Sequence, residues 1–255
     1  MDELKVFLSS PDDVKDDKDK LEKFLETFSE HTIKKHEIRV VPLTGEKAQR
    51  GVTRPQKAIN TLLMECDLYI GLIWKRFGSP TGVSPSGTQE EFTIATNSYE
   101  QNKRPQIQIF FKDVNEADIP EKNKSQFRKV MDFKENIKKN VYYYSYPDIS
   151  FVIEELKKKL DSIMAKLPII DRFEASSLAI KKGEQIKFFY NVKKTELPLI
   201  LERSYVDGTD KSEYNLKFNE GHWTDLTVIK DSTYKLVSSN NYGKRSREIK
   251  IKVIK

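Results

Sequence analysis

The strongest constraint in this sequence is a change of rhythm near residue 168. Before it, solid apolar or period-two runs alternate with segments whose apolar residues recur at helical spacing; after it, the helical stripes stop. Residues 4–8 (Leu-Lys-Val-Phe-Leu) read as a buried strand, and Val14, Leu21, Leu25 and Phe28 share one face of a helix. A strand over 38–43, a loop from 44, a helix over 56–64 and a strand over 68–74 follow. Next come a Gly/Ser/Pro loop over 77–87, a helix over 90–99, a strand over 106–111, a helix over 127–137 and a strand over 141–144. A last helix carries Phe151, Val152, Leu156, Leu160, Ile163, Met164 and Leu167 as its stripe. Five strands alternating with helices bury their apolar faces best as a doubly wound, mostly parallel sheet, so residues 1–167 are expected to be an α/β domain.

Residues 168–172 read as a linker. Beyond it, strands are expected over 178–192, 198–205, 214–218, 224–229, 234–238 and 248–254, with turns at Asp207-Gly208, 219–221 and 240–243. This makes residues 173–255 a small all-β sandwich. Tyr234 and the alternating Ile249, Ile251 and Val253 resemble the last two strands of an immunoglobulin-like domain, with Tyr234 in the place of its tyrosine corner.

Composition narrows the function classes. Hydrophobic residues make up 37% and charged residues 33%, and no apolar run approaches the roughly 18–20 residues of a membrane span. A single cysteine, Cys66, cannot form an intramolecular disulfide, and His31, His36 and His222 offer no metal-ligand spacing. The expectation is a metal-free cytoplasmic protein. Of the net charge of +6, +5 falls in residues 171–255. There Lys244, Arg245, Arg247, Lys250, Lys252 and Lys255 alternate with apolar residues and lack interleaved aromatics, so they read as a solvated strand face rather than a nucleic-acid site.

Ligands of an open α/β sheet bind beyond the carboxyl ends of its strands. After the first strand, Ser9-Ser10-Pro11-Asp12-Asp13 contains no glycine, and neither GxGxxG nor GxxxxGK[ST] occurs in the chain. The segment after the third strand holds Trp74, Arg76 and Phe77, then Thr88 and Glu91. Aromatic faces suit stacking, Arg76 suits a pyrophosphate, and one carboxylate suits glycosidic cleavage of a nicotinamide riboside, whose pyridinium departs neutral without a general acid. A competing reading is helix capping. Ser10-Pro11 reads as N-cap and N1, and Thr53-x-x-Gln56 and Thr88-x-x-Glu91 match the capping box, worth about 1 kcal/mol each. Glu90, about 100° around the helix from Glu91, is expected to face solvent.

Residues 5–10, 66–71, 74–78 and 86–95 together resemble the Toll/interleukin-receptor-like (TIR-like) domains of bacterial and animal immune proteins, over roughly residues 1–167. Gly87-Thr88-x-x-Glu91-x-x-x-Ala95 is also similar to a motif of nucleoside deoxyribosyltransferases. The resemblance implies a flavodoxin-like sheet, self-association through this domain, and hydrolysis or cyclisation of NAD by a glutamate, here Glu91. Ser9, Ser10, Trp74, Arg76, Phe77 and Thr88 would bind substrate, and NAD would be a substrate rather than a cofactor. The loop over 44–54 stands where TIR-like domains carry the loop that mediates assembly and gates the site. The resulting expectation is an anti-phage type of immune effector whose sandwich docks or senses a protein partner. The alternatives are a non-catalytic recruitment module and a nucleotide-signal binder.

Overall fold

The alternation of apolar runs and helical stripes produces a five-stranded sheet with helices on both faces. The computed structural model describes residues 1–47, 55–139 and 141–254. In chain order the first part comprises β1 (Asp2–Ser9), α1 (Lys15–His36), β2 (Ile38–Thr44), α2 (Pro55–Met64) and β3 (Leu68–Ile73). It continues with α3 (Gly87–Asn102), β4 (Gln106–Lys112), α4 (Lys124–Ile137), β5 (Tyr143–Tyr146) and α5 (Ile149–Lys166). The strand order is β2-β1-β3-β4-β5, with β1–β3, β3–β4 and β4–β5 parallel; Val6 pairs with Leu68 and Leu68 with Gln106. The chain divides into two compact units, Glu3–Asp161 and Ser162–Lys255 with Met1–Asp2.

Side chains alternate across a strand, so each strand serves two helix layers. Phe7, Tyr69, Ile73, Ile109 and Phe111 pack with Leu63 of α2, Phe92 and Ala95 of α3, and Val130 and Phe133 of α4. The alternate residues Val6, Leu8, Leu68, Ile70, Leu72 and Phe110 are buried too. Phe110 stacks on Tyr144, which meets Phe151 of α5 edge-on. All six residues of β3 are buried, as a strand covered on both faces requires. Helix α1 buries Leu21, Leu25 and Phe28; it ends where Glu37 turns left-handed, with Lys34, Lys35 and His36 on the negative end of its dipole.

The second unit contains β6 (Ile169–Ala175), β7 (Ala179–Lys181), β8 (Ile186–Lys193), β9 (Glu196–Tyr205), β10 (Lys211–Leu216), β11 (Glu220–Asp225), β12 (Ser232–Asn240) and β13 (Gly243–Ile254). They form two sheets, β10-β9-β12-β13-β7 and β11-β8-β6. Phe188, Tyr190 and Val192 of one share a core with Leu199, Leu201, Tyr234 and Leu236 of the other.

Several expectations require correction. The linker over 168–172 is mostly β6, an edge strand whose Asp171 and Arg172 are exposed while Ile170 and Phe173 are buried. The strand over 178–192 is two, broken by a turn at Gly183, whose φ of +85° favours glycine. The strand placed over 141–144 lies two residues later, and the strand over 224–229 ends at Asp225, with Glu220 and Gly221 inside β11 rather than in a turn. The Tyr234 hydroxyl donates to the Asp225 carboxylate at 2.7 Å, not to the backbone bond of a tyrosine corner. Residues 48–54 of the loop after β2, including the Thr53 cap, and Lys255 of the basic cluster lie outside the described residues.

Candidate functional site

Order β2-β1-β3-β4-β5 has its topological switch point between β1 and β3, because the chain leaves β1 for one edge and returns to β3 on the other side. The loops that leave these two strands diverge there and open a cleft. Asp13 ties them together: its Oδ2 accepts the backbone N–H groups of Lys75 and Arg76, each at 2.9 Å. Burial outweighs these bonds and raises the Asp13 pKa. The cleft is about 450 Å³ and is lined by Ser10, Asp12, Gln56, Arg76, Thr81, Thr88 and Glu91 with the glycine, serine and proline residues between them.

The helix that carries Glu91 starts earlier than its sequence suggests. Ser86 is the N-cap and accepts the Gln89 N–H at 3.0 Å, so Thr88 and Glu91 do not form the capping box. Glu91 lies a full turn inside α3, where a cap has no use for it. The Gly87 N–H donates to the Ser79 carbonyl at 3.2 Å, so two of the first N–H groups of α3 are already occupied. Ser10 is not the cap expected either; Pro11 holds that position before a short 3₁₀ turn and no side chain caps it.

Glu91 is buried, with 8% of its surface exposed. Ser9 Oγ donates to Glu91 Oε2 at 2.5 Å and Gln56 Nε2 donates to Glu91 Oε1 at 3.1 Å. Burial, the largest influence, raises its pKa; the bonds from Ser9 and Gln56 lower it, the charges of Glu90 and Glu46 raise it, and the net direction is upward. Tyr69, wholly buried, is pushed well above the ordinary phenol range by burial and then by the Glu91 charge, so it stays neutral. The resulting carboxylate is fixed by neutral donors, opens on a cleft and favours a proton: the properties of a general base or of a counter-charge to a developing cation.

The structure brings together Ser9, Ser10, Arg76, Thr88 and Glu91. It does not bring Phe77 or Trp74 to them. Phe77 is 3% exposed and packs on Phe133 with ring centroids 4.9 Å apart, because the loop after β3 folds its side chain back into the core beside Phe92 and Phe133. The Trp74 indole donates to the Asp113 carbonyl at 3.3 Å, with the Lys75 and Lys112 ammonium groups over its ring. Among the described residues no aromatic side chain lines the cleft. Glu90 does not face solvent: it is buried, and its carboxylate accepts from Asn60 Nδ2 at 2.8 Å and from Thr81 Oγ1. Gln56, Asn60 and Thr81 are the functional candidates that sequence reasoning missed. The i, i+4 spacing of Gln56 and Asn60 on α2 was a usable signal; Thr81 gave none.

A second, more apolar cavity of about 550 Å³ lies between α3 and α4, walled by Phe92, Phe133, Ile137 and Tyr142. It sits near the amino ends of β4 and β5, away from the carboxyl ends where this fold binds ligands. Among the described residues no three His, Cys, Asp or Glu side chains are grouped to hold a metal ion, and no helix is long and apolar enough to cross a membrane.

No protein with a curated function matches the sequence. Among solved structures the chain is similar to a computationally redesigned β-sandwich protein, at 10% identity and TM-score 0.27, covering 34% of this chain and 96% of that one. It is also similar to the third fibronectin III domain of a human protein, at 7% identity and TM-score 0.26 over 35% and 87% of the two chains. A bacterial selenocysteine-specific elongation factor matches at 12% identity and TM-score 0.35 over 98% and 55%. Likenesses this low carry no argument about activity. The model of one family, a domain of unknown function designated DUF4062, matches residues 5–161, more than half of the sequence, and the chain belongs to that family.

Proposed function

We propose that the α/β unit is a TIR-like nucleotide-cleaving domain that breaks the N-glycosidic bond of NAD or a related nucleotide, with Glu91 as its catalytic residue. The observation that carries this reading is the Glu91 carboxylate itself, buried at the switch-point cleft and held by Ser9 and Gln56 without a cation among the described residues. In the reaction, the bond between ribose C1′ and the pyridinium nitrogen breaks with its electron pair passing to nitrogen, and nicotinamide leaves neutral. The positive charge moves to the ribose ring, where Glu91 stabilises it and accepts hydrogen bonds from ribose hydroxyls. Water, or a hydroxyl group of the substrate in a cyclisation, attacks C1′ and gives its proton to Glu91, whose raised pKa suits that role. Arg76, exposed on the cleft rim, faces the phosphates.

The second unit is read as an immunoglobulin-like sandwich that docks a protein partner, and the α/β unit as the part that self-associates. Support for the finer fold comes from the sheet order and from β7 pairing in parallel with β13. The reading is tested by incubating the purified chain with NAD or NADP at rising protein concentration and following free nicotinamide. Release that increases steeply with concentration is expected; no release at any concentration contradicts it. One observation favours a second reading: among the described residues no aromatic ring lines the cleft for a nucleotide base to stack on. A module that binds a nucleotide signal without cleaving it would bind tightly and release no nicotinamide.

A further inference from the structure

Glu90 and Glu91 are consecutive on α3, and both are buried to the same degree. Neighbouring carboxylates in a poorly solvated site repel, so their oxygens must be held by donors. The side chains around them form one continuous run of hydrogen bonds. Ser9 Oγ donates to Glu91 Oε2; Gln56 Nε2 donates to Glu91 Oε1 at 3.1 Å and to Asn60 Oδ1 at 3.2 Å. Asn60 Nδ2 donates to Glu90 Oε1 at 2.8 Å, and Thr81 Oγ1 donates to Glu90 Oε2. The polarity of the run is consistent. One amide proton of Gln56 is aimed at Asn60, which turns the other toward Glu91, and Asn60 is turned in the same way by Glu90.

The far end of the run lies on the cleft rim. Thr81 closes its own turn, its N–H donating to the Ser84 carbonyl and its Oγ1 accepting the Ser84 N–H, both at 3.1 Å, and it lines the cleft with Gln56 and Glu91. Rim and carboxylate are therefore joined by side chains that a ligand in the cleft would touch at both ends.

We infer that Glu90 is a positioning residue: anchored to the rim by Thr81, it orients Asn60 and through it Gln56, so that the geometry of the Glu91 carboxylate is set by the rim loop. The inference rests on the reading that Glu91 acts on a ligand bound in this cleft. A network that only fastened α2 to α3 would leave the titration of Glu91 untouched when its distant links were cut.

The test follows the Glu91 carboxyl by carbon NMR in full-length protein labelled at its glutamate carboxyl carbons, with the resonance assigned by its loss in Glu91→Gln. Asn60→Leu and Thr81→Val should each move the Glu91 midpoint upward, because the bond from Gln56 to the charged form weakens. The double variant should move it no further than Asn60→Leu alone, since both cut one chain. In the nicotinamide-release assay Asn60→Leu, whose side chain does not line the cleft, should lower kcat about tenfold with KM nearly unchanged, the signature of lost positioning rather than lost binding. A Glu91 midpoint that in both folded variants is unmoved, or is lowered because an unbonded Glu90 takes up a proton and ceases to repel Glu91, overturns the inference whatever the activity. If wild type releases no nicotinamide, the cleavage reading fails while the titration still decides the network. Should Asn60→Leu not fold, Thr81→Val on the partly exposed rim decides alone.

Discussion

Each unit buries a carboxylate, and the two are treated differently. In the sandwich, Asp225 accepts from Arg203 Nη1 at 3.0 Å, from the Tyr234 hydroxyl at 2.7 Å and from the Thr227 N–H at 3.2 Å. Its charge is matched by a cation and its oxygens are occupied. In the α/β unit, Glu91 is equally buried but receives only neutral donors among the described residues, beside a second carboxylate, and it opens on a cleft. A charge whose task is to hold a fold is neutralised within that fold. On the proposed reading, a carboxylate left uncompensated at the cleft is kept at a stability cost, and the compensating positive charge is the one that would develop on the substrate.

Substitutions can break this comparison. The largest effect is expected from Asp225→Ala, which strands the Arg203 guanidinium and the Tyr234 hydroxyl and should destabilise the sandwich by about 3 kcal/mol. Trp223 packs in that core and Trp74 lies in the other unit, so urea unfolding followed by Trp223 fluorescence in a Trp74→Phe background reads the sandwich alone. Phe77→Ala should destabilise the α/β unit by about 3 kcal/mol as a core truncation, whereas Trp74→Phe should leave nicotinamide release within about twofold of wild type. A large loss of activity with Trp74→Phe would return the indole to the site.

Glu91→Gln should act in the opposite direction on stability. The folded pKa of Glu91 lies above its value of 4.5 in the unfolded chain, so the folded state holds the proton more tightly. Wild-type stability from this group is therefore present below pH 4.5 and is lost as pH rises through the folded pKa. Glutamine carries no such loss, so the variant should be more stable than wild type at pH 7, with the gain closing as pH falls to 4.5. Thermal unfolding across that range measures it. A destabilised glutamine variant at pH 7 would make Glu91 a structural residue like Asp225.

Sheet and helix stripes were legible in the sequence because apolar periodicity is burial written along the chain: β3 reads as a solid apolar run and is buried throughout. Ser9, Arg76 and Glu91 followed from the rule that ligands meet strand ends. What was not legible depends on contacts between elements. An aromatic just beyond a strand reads alike whether it faces a ligand or the core, so the sequence does not separate the buried Phe77 from a stacking residue. The capping-box spacing points to Thr88, whereas Ser86, two residues earlier, accepts the Gln89 N–H and starts the helix. The helical register places Glu90 on the solvent side; its burial comes from α2 and the rim loop, not from its own helix. β6 reads as linker from the sequence because Pro168 precedes it and an edge strand tolerates Asp171 and Arg172 on its open face.

The most direct test of the central claim compares nicotinamide release from NAD by wild type and Glu91→Gln at matched, high protein concentration, with both shown to be folded. A loss of at least about a hundredfold in the glutamine variant is predicted, since its side chain keeps the shape and hydrogen-bonding reach of Glu91 but not the charge. Equal release by the two proteins would contradict the assignment of the chemistry to Glu91.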